Sequence, residues 1–164
     1  MRSTARLRDV ARLGLDRELH RDYLGDVVDT VAAAMDTPFA LVDILLDDAQ
    51  VILAGHGPVP EWVAEAGGTP IEWAFCGMLL FGSQARAVPD LAADPRFRDN
   101  PLVTVEGFRS YVGAPLFSST GHVLGGLCAL DTRPRAFPDD DLVFLAEMAD
   151  EAVRRIELHA TPPP

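Results

Sequence analysis

A chain of 164 residues, 48% of them apolar, is long enough to fold as one domain around a real core and too hydrophobic to be disordered. Its net charge of −11, from 14 basic and 25 acidic residues, argues against a nucleic-acid groove or an anionic membrane surface as the main partner. No apolar run approaches the ~20 residues of a membrane span, and the opening MRSTAR leads into a charged helical pattern where a secretory signal would be apolar. The expected compartment is the cytoplasm, where Cys76 and Cys128 would be free, buried thiols.

Residues 1–15 are weakly helical and interrupted by Gly14, and read as an N-terminal extension. From Asp16, a candidate N-cap, the apolar residues Leu19, Tyr23, Val27, Val31 and Met35 recur at helical spacing until Pro38, predicting a helix over 16–36. Two strands follow, 39–46 and 50–54, with a turn at 47–49; the first is apolar on both faces apart from Asp43. A turn-rich stretch holds a short helix at 61–66. Thr69, Pro70 and Glu72 have the spacing of a capping box, predicting a helix over 70–81 that Gly82 stops, with Gly77 weakening it.

A short strand at 86–88 precedes a loop over 91–107. Strands at 109–117 and 122–131 form a hairpin around 118–121. Val123, Leu127 and Ala129 would line one face of the second strand, and Leu124, Cys128 and Leu130 the other, so it should be central. Pro115 should interrupt pairing or mark a bulge. The closing helix starts near Asp139. Its Leu142, Leu145, Ala149, Ala152 and Ile156 form a coiled-coil-like seam. The single domain is therefore 16–158, and the Pro-rich tail 159–164 should be disordered. The fold class is α+β and sandwich-like. A central antiparallel sheet of five or six strands carries the terminal helices on one face and a helix/loop excursion on the other.

A set of spaced residues resembles a known family. Phe75-Cys76, Val88 with Asp90, Asp94 with Arg96-Phe97, and Asn100-Pro101-Leu102-Val103 come first. Arg109, Tyr111, Gly113, Pro115-Leu116, then Gly121, Gly125, Leu127-Cys128, Leu130-Asp131 and Pro134-Arg135 complete it. Together they resemble a GAF domain, best the bacterial branch of sensor kinases and of cyclic-di-nucleotide synthases and hydrolases. The resemblance spans about 16–158 and leaves no room for an attached effector, so a stand-alone protein is expected. It implies a ligand cavity between the sheet and the excursion. It also implies a homodimer through the terminal helices, with Leu19, Tyr23, Val27, Val31, Leu142, Leu145, Ala149, Ala152 and Ile156 as candidate contacts.

The candidate ligand residues are Trp73, Phe75, Cys76, Leu79, Phe97, Arg96, Arg109, Tyr111 and Cys128; aromatics with a few polar groups suit a small organic ligand. Each also has a structural reading. Cys76 would lie nearly two turns inside the helix, beyond the dipole effect that activates a thiol, and Cys128 sits among apolar neighbours. Arg96 or Arg109 would suit an anion, or would pair with Asp90, Asp94 and Asp99 nearby. His56 is a loop histidine within reach of a ligand such as haem, and His122 would be solvated. No HExxH, HxxxH or CxxC pattern points to a metal, and no phosphate loop is present. GAF enzymes that reduce free methionine sulfoxide carry a cysteine in the excursion, as bilin-binding members do; 85–109 contains none.

The expected function is a non-catalytic small-molecule-sensing or regulatory module in signal transduction, acting through a signalling protein partner, with an unidentified small molecule and an unknown cofactor. The alternatives are a ligand-free dimerisation module and a thiol-dependent free methionine sulfoxide reductase.

Overall fold

The computed structural model describes residues 4–15, 22–58, 63 and 66–160. Expectations that fall on Asp16, Leu19, the start of the 61–66 helix and the end of the tail lie outside these residues. The elements in chain order are α1 (Thr4–Arg12), a 3-10 turn (Asp22–Leu24), α2 (Gly25–Met35), β1 (Phe39–Leu45), β2 (Ala49–His56), β3 (Gly68–Pro70), two further 3-10 segments (Ile71–Trp73 and Phe75–Phe81), β4 (Arg86–Val88), α3 (Pro101–Thr104), β5 (Ser110–Phe117), β6 (Val123–Asp131) and α4 (Asp139–His159).

Six antiparallel strands form one sheet in the order β3-β2-β1-β6-β5-β4. α1, α2 and α4 cover one face; the excursion, 71–108 apart from β4, covers the other. Side-chain alternation along each strand sorts the core into two clusters. Ala40, Val42 and Ile44 of β1 point to the helices, while Leu41 and Leu45 point to the excursion. β6 is central and buried on both faces, as its apolar pattern requires.

A bulge in the β5–β6 pair adjusts this alternation. Leu116 pairs with Gly125 and Phe117 with Val123, so Leu124 is the extra residue. It joins Leu127 and Ala129 on the helix face, not Cys128 and Leu130 as simple alternation predicts. Pairing does not fail at Pro115, which stands opposite Gly126. β4 ends opposite Gly113, so β5 has no partner on that side at Pro115, and the missing N–H leaves no ladder bond unmade.

The expected 70–81 helix is replaced. Thr69 belongs to β3 and gives its hydroxyl proton to Gln50 Oε1 at 2.8 Å, so no capping box forms. The chain then makes two tight 3-10 turns separated by an extended Ala74. Strand pairing with β2 claimed the residue that local pattern assigned to a cap.

The seam on α4 is also redirected. Leu145, Ala149, Ala152 and Ile156, together with Val27 and Val31 of α2, are buried within a single protomer. Their partners are this chain's own sheet and helices. Tyr23 and Leu142 are half-buried against the same core. The small Ala residues let α4 sit close on β5 and β6. Arg155 ties it to α2, donating to Tyr23 O at 3.0 Å and Asp26 Oδ1 at 2.5 Å.

Residues 4–15 contribute to this core through Val10, Leu13 and Leu15. Asp9 on α1 accepts hydrogen bonds from Ser118 Oγ at 2.6 Å, from Thr120 Oγ1 and from His122 Nδ1 at 2.7 Å. His122 is thus a half-buried partner at the hairpin turn and not a solvated side chain. No described helix is long and apolar enough to cross a membrane.

Candidate functional site

Between the excursion and the sheet lies a small cavity of about 40 Å³, partly open to solvent. Its walls are mostly apolar, including Leu41, Ile52, Phe75, Leu102 and Phe108; Gln50, Thr69, Cys76, Tyr111 and Cys128 supply the polar atoms.

Strand register explains why these residues meet. On the excursion face Asp43 stands opposite Gly126, and Leu41 opposite Cys128. Cys128 is in turn opposite Gly113 on β5. The two glycines leave gaps in the sheet surface. A Cβ on Gly126 would lie 2.9 Å from Cys76 Sγ and 2.8 Å from Leu79 Cδ1; one on Gly113 would lie 2.0 Å from Tyr111 Oη. Glycine in a strand marks close approach by another segment. At Gly126 the segment is Phe75–Phe81, which presses Cys76 and Leu79 onto the sheet; at Gly113 it is the Tyr111 ring of the same strand.

A chain of polar contacts runs beneath the cavity. Thr69 donates to Gln50 Oε1, which fixes the amide so that Gln50 Nε2 donates to Asp43 Oδ2. Asp43 Oδ1 accepts the Gly126 backbone N–H at 2.8 Å. Tyr111 Oη donates to Cys76 Sγ at 3.1 Å. Burial pushes the Asp43 carboxyl up to about 6, against the hydrogen bonds from Cys76, Gln50 and Gly126. Burial also drives the Cys76 thiol well up, reinforced by Cys128 and Asp43, and raises the Tyr111 phenol. The contact with Cys76 pulls Cys128 down, but burial and the Asp43 charge outweigh it, and that thiol too is raised. Both cysteines are therefore protonated thiols near neutral pH, unlike the activated thiolates of cysteine nucleophiles.

Of the nine candidate ligand residues, the structure brings four to the cavity wall: Phe75, Cys76, Tyr111 and Cys128. Leu79 is fully buried beneath Gly126. Phe97 packs edge-on against Phe75 with centroids 5.5 Å apart. Trp73 is half-buried, and its carbonyl accepts from Asn100 Nδ2 at 3.1 Å. Arg96 is exposed and holds Asp94 through two hydrogen bonds at 3.1 and 2.8 Å. Arg109 donates to the carbonyls of Val103 and Phe108 at 2.7 and 2.9 Å, bracing the end of the excursion. His56 pairs with Asp29 of α2 at 2.8 Å.

Sequence reading missed Asp43, Gln50 and Thr69. The one available signal was Asp43 itself, a lone acid in an otherwise apolar strand. Asp43, Cys76 and Cys128 place three potential metal-ligating atoms within 4.8 Å of one another; their separation along the chain hides this from any spacing motif.

The family model described as GAF domain matches residues 21–156. A cyclic di-GMP phosphodiesterase of Pseudomonas aeruginosa is 34% identical over 149 residues, covering 90% of this chain; the chain spans only 24% of that relative's length. The GAF domain of an Acinetobacter phosphoenolpyruvate-protein phosphotransferase superposes with a TM-score of 0.70 at 20% identity, covering 99% of each chain. A free methionine-R-sulfoxide reductase of Neisseria meningitidis, solved with its substrate, gives 0.66 at 20% identity, covering 96% of this chain and 93% of that one. Family model, sheet order and covered cavity agree: this chain belongs to the GAF domain family.

Proposed function

We propose that the chain is a non-catalytic sensing module of a signalling system, whose ligand is a small, mostly apolar molecule held between the sheet and the excursion. The observation that carries this reading is the cavity, where an apolar wall meets a few convergent polar groups at Gln50, Thr69 and Tyr111. The relative named as a cyclic di-GMP phosphodiesterase supports a signalling context in which the module acts through a partner protein or domain. Ligand binding would act by tightening the excursion, Ile71 to Phe108, against β1 and β6.

The thiol reductase reading draws on one observation, the meeting of Cys76 and Cys128 at the same cavity. Their raised thiol pKa values weigh against it, because thiolate is the reacting form.

The test is mass spectrometry of the denatured, purified protein with a thermal-shift screen of small metabolites. The expected result is a compound near one equivalent per chain that raises Tm and is lost in Ile52→Trp, which fills the cavity. If no compound binds and Ile52→Trp is simply more stable than the parent, the cavity is dead space and sensing through it is wrong.

A further inference from the structure

Asp43 is an anomaly. Its carboxyl is completely buried, and among the described residues no cationic side chain pairs with it. The partners it has are neutral: the Gly126 N–H, the Gln50 amide and the Cys76 thiol. Buried carboxylates are normally paired with a cation or bound to a metal. Beside it stand the thiols of Cys76 and Cys128, also buried, with all three ligand-type atoms within 4.8 Å of one another.

We propose that Asp43, Cys76 and Cys128 form a binding site for a divalent cation of the zinc class, with a fourth coordination position left to a donor from the cavity. Two thiolates and one carboxylate suit zinc and related borderline metals, and disfavour magnesium or calcium, which take oxygen ligands. Donor atoms around one tetrahedral zinc stand roughly 3–4 Å apart, given bonds of about 2.0–2.3 Å. Side-chain adjustment within the present cluster covers that difference.

The surroundings match what a metal ligand set needs. Metal-binding carboxylates are held by outer hydrogen bonds. The relay from Thr69 through Gln50 to Asp43 does this, and the Gly126 N–H fixes the other oxygen. Tyr111 Oη is placed to donate to the Cys76 sulfur, at 3.1 Å, and so stabilises a thiolate there. Gly126 leaves the room that Cys76 Sγ occupies. Both cysteines line the cavity, which gives the ion an entry path and an external ligand a place to bind. Binding breaks two S–H bonds and forms two metal–sulfur bonds, and both protons pass to solvent. The carboxylate, two thiolates and a divalent ion leave one net negative charge.

The test uses the whole chain, reduced and stripped with a chelator. It is titrated with zinc against a chromophoric competitor, and separately with cobalt(II). The expected result is one zinc per chain, with two protons displaced per ion in native mass spectrometry. The cobalt form should show thiolate-to-metal charge-transfer absorption. Cys76→Ser and Cys128→Ser should each cut that band to about half or less and weaken zinc binding by more than about 100-fold. Gln50→Ala leaves every ligand in place and should weaken binding by about 10-fold; it carries the test where a serine variant fails to fold. The proposal is overturned if the reduced wild type binds no zinc, if the cobalt form lacks the thiolate band, or if Gln50→Ala and the foldable serine variants bind as tightly as wild type. Failure here leaves the organic-ligand reading untouched, because Ile52→Trp tests that reading without altering a metal ligand.

Discussion

Gly126 stands directly opposite Asp43 in the β1–β6 ladder and donates its backbone N–H to the Asp43 side chain at 2.8 Å. One residue thus satisfies half of a buried carboxyl group and, lacking a side chain, makes space for Cys76 and Leu79 from the excursion. A methyl group at position 126 would push both away. Gly126→Ala should cost about 1–3 kcal/mol by overpacking, read as a lower urea midpoint at unchanged slope. Gly113→Ala meets Tyr111 Oη at only 2.0 Å and should cost at least as much. A wild-type midpoint in Gly126→Ala would show that the excursion does not press on the sheet as described.

Leu79 tests the same contact from the other side. It is fully buried between Gly126 and the excursion core. Leu79→Ala should cost about 2–5 kcal/mol, the range for a buried leucine whose surroundings relax only in part. A loss below about 1 kcal/mol in equilibrium unfolding would mean that the 3-10 segment is loosely held.

The relay under the cavity makes a smaller prediction. Thr69→Val preserves shape but removes the donor to Gln50 Oε1. The buried amide oxygen is left without that partner, and the expected loss is about 1–3 kcal/mol. Thr69→Ser keeps the hydroxyl and should recover most of it. If valine and serine are equally stable, Thr69 does not orient Gln50.

The fold was legible where burial alone sets the pattern. The doubly apolar β1 and β6, the helical stripe through Val27 and Val31, and the spaced residues from Phe75 to Asp131 lead to the right sheet and family. Competition between local and long-range partners was not legible. Thr69-Pro70-Ile71-Glu72 has the composition of a helix start, yet Thr69 pairs with Gln50, nineteen residues away. The α4 seam illustrates a second limit. Periodicity at Leu145, Ala149, Ala152 and Ile156 shows that a face is covered, but a sheet and a second helix leave the same trace. The Asp43–Cys76–Cys128 cluster shows a third. It depends on the β1–β6 register and on where a 3-10 turn lands, and neither is encoded at a fixed spacing.

That intramolecular seam yields a prediction of its own. Ala149 and Ala152 are at most 1% exposed, so Ala149→Glu or Ala152→Glu would bury an unpaired charge. Each should cost more than about 3 kcal/mol and lower Tm sharply. Val143→Glu and Leu158→Glu lie on the outer face of the same helix, at 58% and 69% exposure, and should shift stability by no more than about 0.5 kcal/mol. An Ala149→Glu protein with unchanged Tm would overturn the packing of α4 on the sheet.

The clasp between α1 and the β5–β6 turn should be visible in the pH dependence of stability. Burial alone would raise the Asp9 carboxyl, but hydrogen bonds from Ser118, Thr120, His122 and Arg12 outweigh it and hold it well below the usual carboxylate range. A group with a depressed folded-state pKa stabilises the fold above its unfolded value of about 3.9, and that contribution disappears as pH falls through the folded value. Asp9→Asn should therefore cost about 1–3 kcal/mol at pH 7, as expected for charge-assisted hydrogen bonds. The gap between variant and wild type should stay constant down to about pH 5 and narrow steadily below about pH 4. Urea titrations at pH 7, 5, 4 and 3 would measure it. A gap that is as wide at pH 3 as at pH 7 would mean that the Asp9 charge contributes nothing to holding α1.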